Sequence, residues 1–109
     1  MSEILQQLDK ILVQRRAADP ESSYVAQLHQ AGINKILEKV GEESIETILA
    51  AKEAEAGGSK VEVVKETADL WFHCMVMLSH LDLDTQAVLD ELAKRFDVSG
   101  LTEKANRGN

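Results

Sequence analysis

With 109 residues, a formal charge of −7 and no basic tract, the chain has the length of one domain and lacks the positive surface that grips a nucleic-acid duplex. Hydrophobic residues make up 44% and charged residues 28%, which excludes a disordered polar chain. Aromatics are only 4% and there is one proline, so aliphatic side chains must build the core, which favours helices over a sandwich or barrel.

In chain order, Ile4, Leu5, Leu8, Ile11 and Leu12 form one stripe and predict a first helix over about residues 2–18. It stops ahead of Pro20, because the residue before a proline avoids the α region. Ser22 or Ser23 caps a short second helix carrying Tyr24, Val25 and Leu28, with Gly32 as its stop. Asn34 is the expected N-cap of a long third helix that reaches about residue 56 and ends at Gly57-Gly58. A fourth long helix follows over about 60–81. Asp84 then caps a fifth, in which Val88, Leu92 and Phe96 recur every four residues. Residues 97–109 are polar and contain glycine, the composition of a partly ordered tail.

No internal repeat or linker interrupts this order, so residues 1–109 read as a single all-α domain. The architecture expected is a helical bundle of four to five helices around two long central ones. After Asp69 the fourth helix is apolar nearly all round, from Leu70, Trp71 and Phe72 to Met77 and Leu78. A helix without a wet face must be covered on every side, and a single small chain struggles to do that. A homodimer or higher oligomer is therefore expected to complete the bundle. The uncharged run over 70–81 is too short to cross a bilayer, so no membrane association is expected. A lone Cys74, with no disulfide framework and no signal-peptide pattern, points to the cytoplasm.

The anomaly lies on the two long helices. At 100° per residue, Glu43 shares its stripe with Ile36, Val40, Thr47 and Ala50, and Glu46 follows within about 60° of it. On the next helix Asp69 is in line with Val76, and Glu66 lies one turn before it. Carboxylates bordering an apolar face cost several kcal/mol unless paired or coordinated. Glu43, Glu46, Glu66 and Asp69 converging would invite a hard divalent cation. With only oxygen donors, no Cys and no Glu-x-x-His, magnesium or manganese fits better than zinc or iron. Carboxylates holding such an ion against a phosphate chain are suited to phosphoanhydride hydrolysis. Most Glu-x-x-Glu pairs on helices are merely solvated, and two matched pairs beside apolar stripes are what lifts these above that background.

Lys35 and Lys39 lie on the Glu43 side, where they either form salt bridges or contact phosphates. Arg16, with Arg15, Arg95 and Arg107, is a candidate for the outer phosphates, since a planar guanidinium suits them, against the reading that each alone is more often a surface charge. His73, one turn after Asp69, either orients a ligand or is a hydrogen-bonded core histidine. His29 and His80 read as structural, and Cys74 as inert packing.

Lys35-Ile36, then Lys39-Val40-Gly41-Glu42-Glu43-x-x-Glu46, and Glu66-Thr67-Ala68-Asp69-Leu70-Trp71-Phe72-His73 together resemble the phosphoribosyl-ATP pyrophosphohydrolases of histidine biosynthesis. Those enzymes sit within the all-α MazG-like nucleotide pyrophosphohydrolases, whose signature is Glu-Glu-x-x-Glu followed on the next helix by Glu-x-x-Asp. Pro20-x-x-Ser23-Tyr24 and Ser99-Gly100-Leu101-x-Glu103-Lys104-Ala105-x-Arg107 are similar to the narrower family's early helix and tail. The resemblance implies metal ligation by Glu43, Glu46, Glu66 and Asp69, with Glu42 as a base or outer group. It implies hydrolysis of phosphoribosyl-ATP at the α–β bond to phosphoribosyl-AMP and pyrophosphate. Trp71 and Phe72 depart from the aliphatic residue and tyrosine expected there, which touches only local packing.

Two other readings compete. One keeps the chemistry and makes the substrate a (d)NTP or altered nucleotide, a house-cleaning role. The other is a non-catalytic helical dimerisation module with a decorative acidic cluster, against which the placement of Glu43 and Asp69 in apolar stripes speaks.

Overall fold

The computed structural model describes residues 2–97, which form five helices and no strand. They are α1 (Ser2–Arg16), α2 (Tyr24–Ala31), α3 (Ile33–Glu55), α4 (Lys60–His80) and α5 (Thr85–Arg95). The all-α architecture with two long central helices is as expected. The tail beyond residue 97, including Arg107, lies outside the described residues.

Local chemistry sets the boundaries. The Ser23 side chain accepts the Ala26 N–H at 3.2 Å and starts α2. The cap expected at Asn34 is instead Gly32, which ends α2 and begins α3. Its φ of +100° turns the chain within one residue, a conformation closed to most side chains. The Gly32 N–H donates to the Leu28 carbonyl, and the Gly32 carbonyl accepts from Ile36. At the far end of α3, Gly57 takes φ +102° and donates to Ala54, while Gly58 donates to the Glu53 carbonyl at 2.8 Å. This is the Schellman closure of a helix. Gly58 is needed for space, since a Cβ there would lie 2.8 Å from that same carbonyl oxygen. The turn folds α4 back along α3 as a hairpin, and the two helices are each other's main partners.

Helices α1 and α2 pack against that hairpin, while α5 packs on α1. Asp84 caps α5 through the Ala87 N–H, and Asp9 of α1 accepts from the Thr85 N–H. The core is Leu12, Val25, Leu28, Ile36, Met75 and Val76, with Leu5, Phe72 and Met77 against it.

That core is small for the chain. The radius of gyration is 16.8 Å, against roughly 13 Å for a compact domain of about this length. Ile45, Ile48 and Leu49 of α3 are exposed, as are Val64 and Trp71 of α4, Trp71 at 60%. The all-round apolar stretch of α4 is thus not fully covered by the other described residues.

Candidate active site

The hairpin brings together carboxylates from helices that the sequence separates. Glu43 is 8% exposed, Glu66 is half-buried and Glu46 is open to solvent. Each offers a carboxylate oxygen, and these oxygens lie within 4.8 Å of one another. The Thr47 hydroxyl bridges the helices beneath them, 2.8 Å from the Glu43 carbonyl and 3.1 Å from the Glu66 carbonyl. The Oε2 atoms of Glu43 and Glu66 are buried without a hydrogen-bond partner among the described residues.

Such crowding is electrostatically unfavourable. Burial pushes the Glu43 carboxyl above its ordinary range, and Glu46 and Asp69 add to the shift, with Lys39 opposing it weakly. Burial likewise raises Glu66, followed by Glu46, Asp69 and Glu43. Asp69 therefore acts on both residues by charge, although it is exposed and its oxygens are outside the close group of three.

The donor set is hard oxygen throughout, and two buried oxygens lack partners. Both features fit a divalent cation of the magnesium type, which would satisfy those atoms and offset the repulsion.

Around the cluster, Lys39 pairs with Glu42 at 3.1 Å and Lys35 with Glu38 at 3.4 Å. The hydrogen bond from Lys39 keeps the Glu42 carboxyl below its usual range. Glu42 is thus directed to Lys39 and stands outside the close carboxylate group.

Arg16, expected at the phosphates, is elsewhere. It donates to the Ser79 carbonyl at 2.8 Å and pairs with Asp82 at 3.1 Å. Ser79 is roughly 20 Å along α4 from Glu66 at the helical rise per residue. Within one chain, Arg16 locks α1 to the far end of α4 and does not join the carboxylates.

A model of the phosphoribosyl-ATP pyrophosphohydrolase family matches residues 5–96. The chain belongs to that family. It is accordingly a phosphoribosyl-ATP diphosphatase, a hydrolase acting on phosphorus anhydrides in histidine biosynthesis. The family's substrate is a small nucleotide and its members are generally dependent on a divalent metal. Among the described residues no helix is long and apolar enough to cross a membrane.

Near the cluster, His73 has a partner that spacing along the chain did not reveal. The His73 Nδ1 is 2.8 Å from the Asp69 backbone carbonyl, and its Nε2 is 2.9 Å from the Tyr24 hydroxyl. His73 was legible as a residue one turn from Asp69. Tyr24 was not, because it comes from α2, and only the docking of α2 on α4 reveals the pairing. Thr47 shared the Glu43 stripe, but its bond to Glu66 likewise needs the folded hairpin.

Proposed function

We propose that the chain hydrolyses the α–β phosphoanhydride of phosphoribosyl-ATP, releasing pyrophosphate and phosphoribosyl-AMP, with magnesium as the metal and manganese as a substitute. The observation that carries this reading is the convergence of Glu43, Glu46 and Glu66 with two orphaned buried oxygens, in a chain of this family. Glu43, Glu46 and Glu66 hold the ion and Asp69 completes the set. When bound, the metal supplies neutralisation of the phosphates and an acidified water. Glu42 is the catalytic carboxylate best placed outside that set: kept ionised by Lys39, it can accept a proton from the attacking water. Lys35 contacts the phosphates by exchanging its exposed Glu38 partner for substrate oxygens, and Lys39 contacts them with a second of its three donors while it keeps its hydrogen bond to Glu42.

The working form we infer is a homodimer of a single-domain cytoplasmic chain. The exposed Ile45, Ile48, Leu49, Val64 and Trp71 and the wide shape of the chain support it, since a second copy would bury what one copy leaves wet.

The test is pyrophosphate release from phosphoribosyl-ATP with and without magnesium, beside dNTP controls and Glu46→Gln. Magnesium-dependent release that disappears in the variant is expected. Turnover of a dNTP alone would move the protein to a house-cleaning role, and silence on every nucleotide would leave a helical interaction module.

A further inference from the structure

Tyr24 opens α2, 45% exposed as a residue, with its ring packed against Phe72, the ring centroids 6.1 Å apart. Its hydroxyl reaches inward to His73, which is only 5% exposed. The direction of that hydrogen bond is fixed from the other side of the imidazole. A backbone carbonyl can only accept, so the His73 Nδ1 facing the Asp69 carbonyl carries a proton. In the neutral ring Nε2 is then a lone pair, and the Tyr24 O–H must donate to it.

The consequence is a phenol whose single hydrogen is committed to the interior. Toward solvent it presents lone pairs only. Through His73 the phenol is tied to the backbone of Asp69 on the acidic stretch of α4, where Glu66, Asp69 and His73 recur at helical spacing, with His73 roughly 10 Å along the axis from Glu66. Lys39 stands close enough to Glu42, Tyr24 and Glu43 for all three to raise its proton affinity, Glu42 most.

We propose that Tyr24 is a specificity-determining residue, an obligate acceptor that takes a hydrogen bond from an O–H or N–H donor on the nucleotide held at the carboxylates. This rests on the reading of those carboxylates as the nucleotide site. The donor is either a sugar hydroxyl or an exocyclic amine. His73 is the positioning residue, which sets the polarity of the phenol without touching substrate. A site that offers only an acceptor rejects an analogue whose donor has been removed, because a polar atom is then left unpaired.

The experiment compares wild type and Tyr24→Phe, both with magnesium, on phosphoribosyl-ATP and on two analogue series. One series lacks single sugar hydroxyls, and the other is methylated on the exocyclic nitrogen. Wild type is expected to lose up to about tenfold in KM on the analogue that lacks the contacted donor. Tyr24→Phe is expected to show a similar rise in KM on the parent and to lose discrimination against that one analogue. The series in which discrimination collapses identifies the donor. Manganese binding by the variant should match wild type. Full discrimination retained by Tyr24→Phe, or equal losses on every substrate, overturns the proposal. Nitrogen NMR of wild-type His73 gives an independent reading should the variant fold poorly. A protonated Nδ1 with a bare Nε2 supports the proposal, and a protonated Nε2 overturns it, since Tyr24 would then be free to donate outward. Failure of wild type to turn over any nucleotide removes the underlying reading. Turnover that is indifferent to Tyr24→Phe removes this inference alone.

Discussion

The hydroxyl of Thr47 on α3 lies 3.1 Å from the Glu66 carbonyl of α4, directly between the residues that gather the carboxylates. A hydroxyl has one proton, which it shares with the Glu43 carbonyl one turn earlier on its own helix. The contact is a polar tie across an otherwise repulsive junction. Thr47→Val keeps the shape and removes the tie, leaving the Glu66 carbonyl only its bond within α4. A loss of about 1 kcal/mol is expected, a fall of several degrees in Tm for a chain of this size. Thermal melts with and without magnesium check it, and the stabilisation gained from the ion should shrink as the two helices are held less firmly.

Removing a charge from the cluster should have the opposite sign. The folded-state carboxyls of Glu43 and Glu66 lie above their ordinary value of 4.5, so the native state holds protons more tightly than the unfolded chain does. Their contribution is most favourable below about pH 4.5 and is lost as pH rises through the raised values. In metal-free protein at neutral pH, Glu43→Gln is therefore expected to be as stable as wild type or more so, while hydrolysis disappears. A marked fall in Tm for this variant would mean that Glu43 is instead held in a stabilising ion pair.

Ligand binding to the native state alone must raise stability, by about 2.7 kcal/mol at a hundred times Kd. Magnesium titrated into the metal-free protein should raise Tm in step with occupancy. Asp69, whose oxygens stand outside the close group of three, is the informative position. If it swings in to complete the ion's shell, Asp69→Asn should shift the magnesium titration to higher concentration with little effect on the metal-free melt. An unchanged titration would place Asp69 outside the shell, acting on Glu43 and Glu66 by charge alone.

Much of this was legible in the sequence because it depends on neighbours along the chain. Ser23, Asp84 and the Gly57-Gly58 pair each carry a local hydrogen bond that marks a helix end. The α3 start was displaced because a single glycine at φ +100° serves two helices, and Asn34, a better cap by type, is already inside the helix. The burial of Glu43 follows from helical period, since it shares a stripe with Ile36 and Ala50, both of which are buried. What the period cannot supply is where one helix meets another. The reach of Arg16 to Ser79 and of Tyr24 to His73 spans dozens of residues and is set by how α1 and α2 dock on α4. A guanidinium that looks free for phosphate in a string of letters is, in the fold, a clasp.

The same docking joins His29 of α2 to His80 at the end of α4, with Nδ1 atoms 2.9 Å apart and ring planes within 16° of parallel. One proton fits between the two nitrogens, so the pair survives with one ring neutral and breaks when both are imidazolium. Burial lowers the His29 pKa below 6.5, and the positive charge of Arg16 and then His80 lower it further. Asp82, exposed, pairs with that Arg16 guanidinium at 3.1 Å. As pH falls below 6.5, the unfolded chain takes up a proton that the folded chain refuses, so stability declines until the lowered folded value is passed and then levels off. His29→Gln removes this proton linkage along with the hydrogen bond. The variant should be about 1 kcal/mol less stable than wild type one unit above 6.5, and the gap should narrow one unit below it. Urea denaturation of the metal-free proteins at the two pH values measures the gap. Because the carboxylate cluster titrates identically in both proteins, its opposite trend cancels in the difference. A gap that stays constant with pH would mean that His29 protonates as easily folded as unfolded, and that the pair is a packing contact with no hold on the proton.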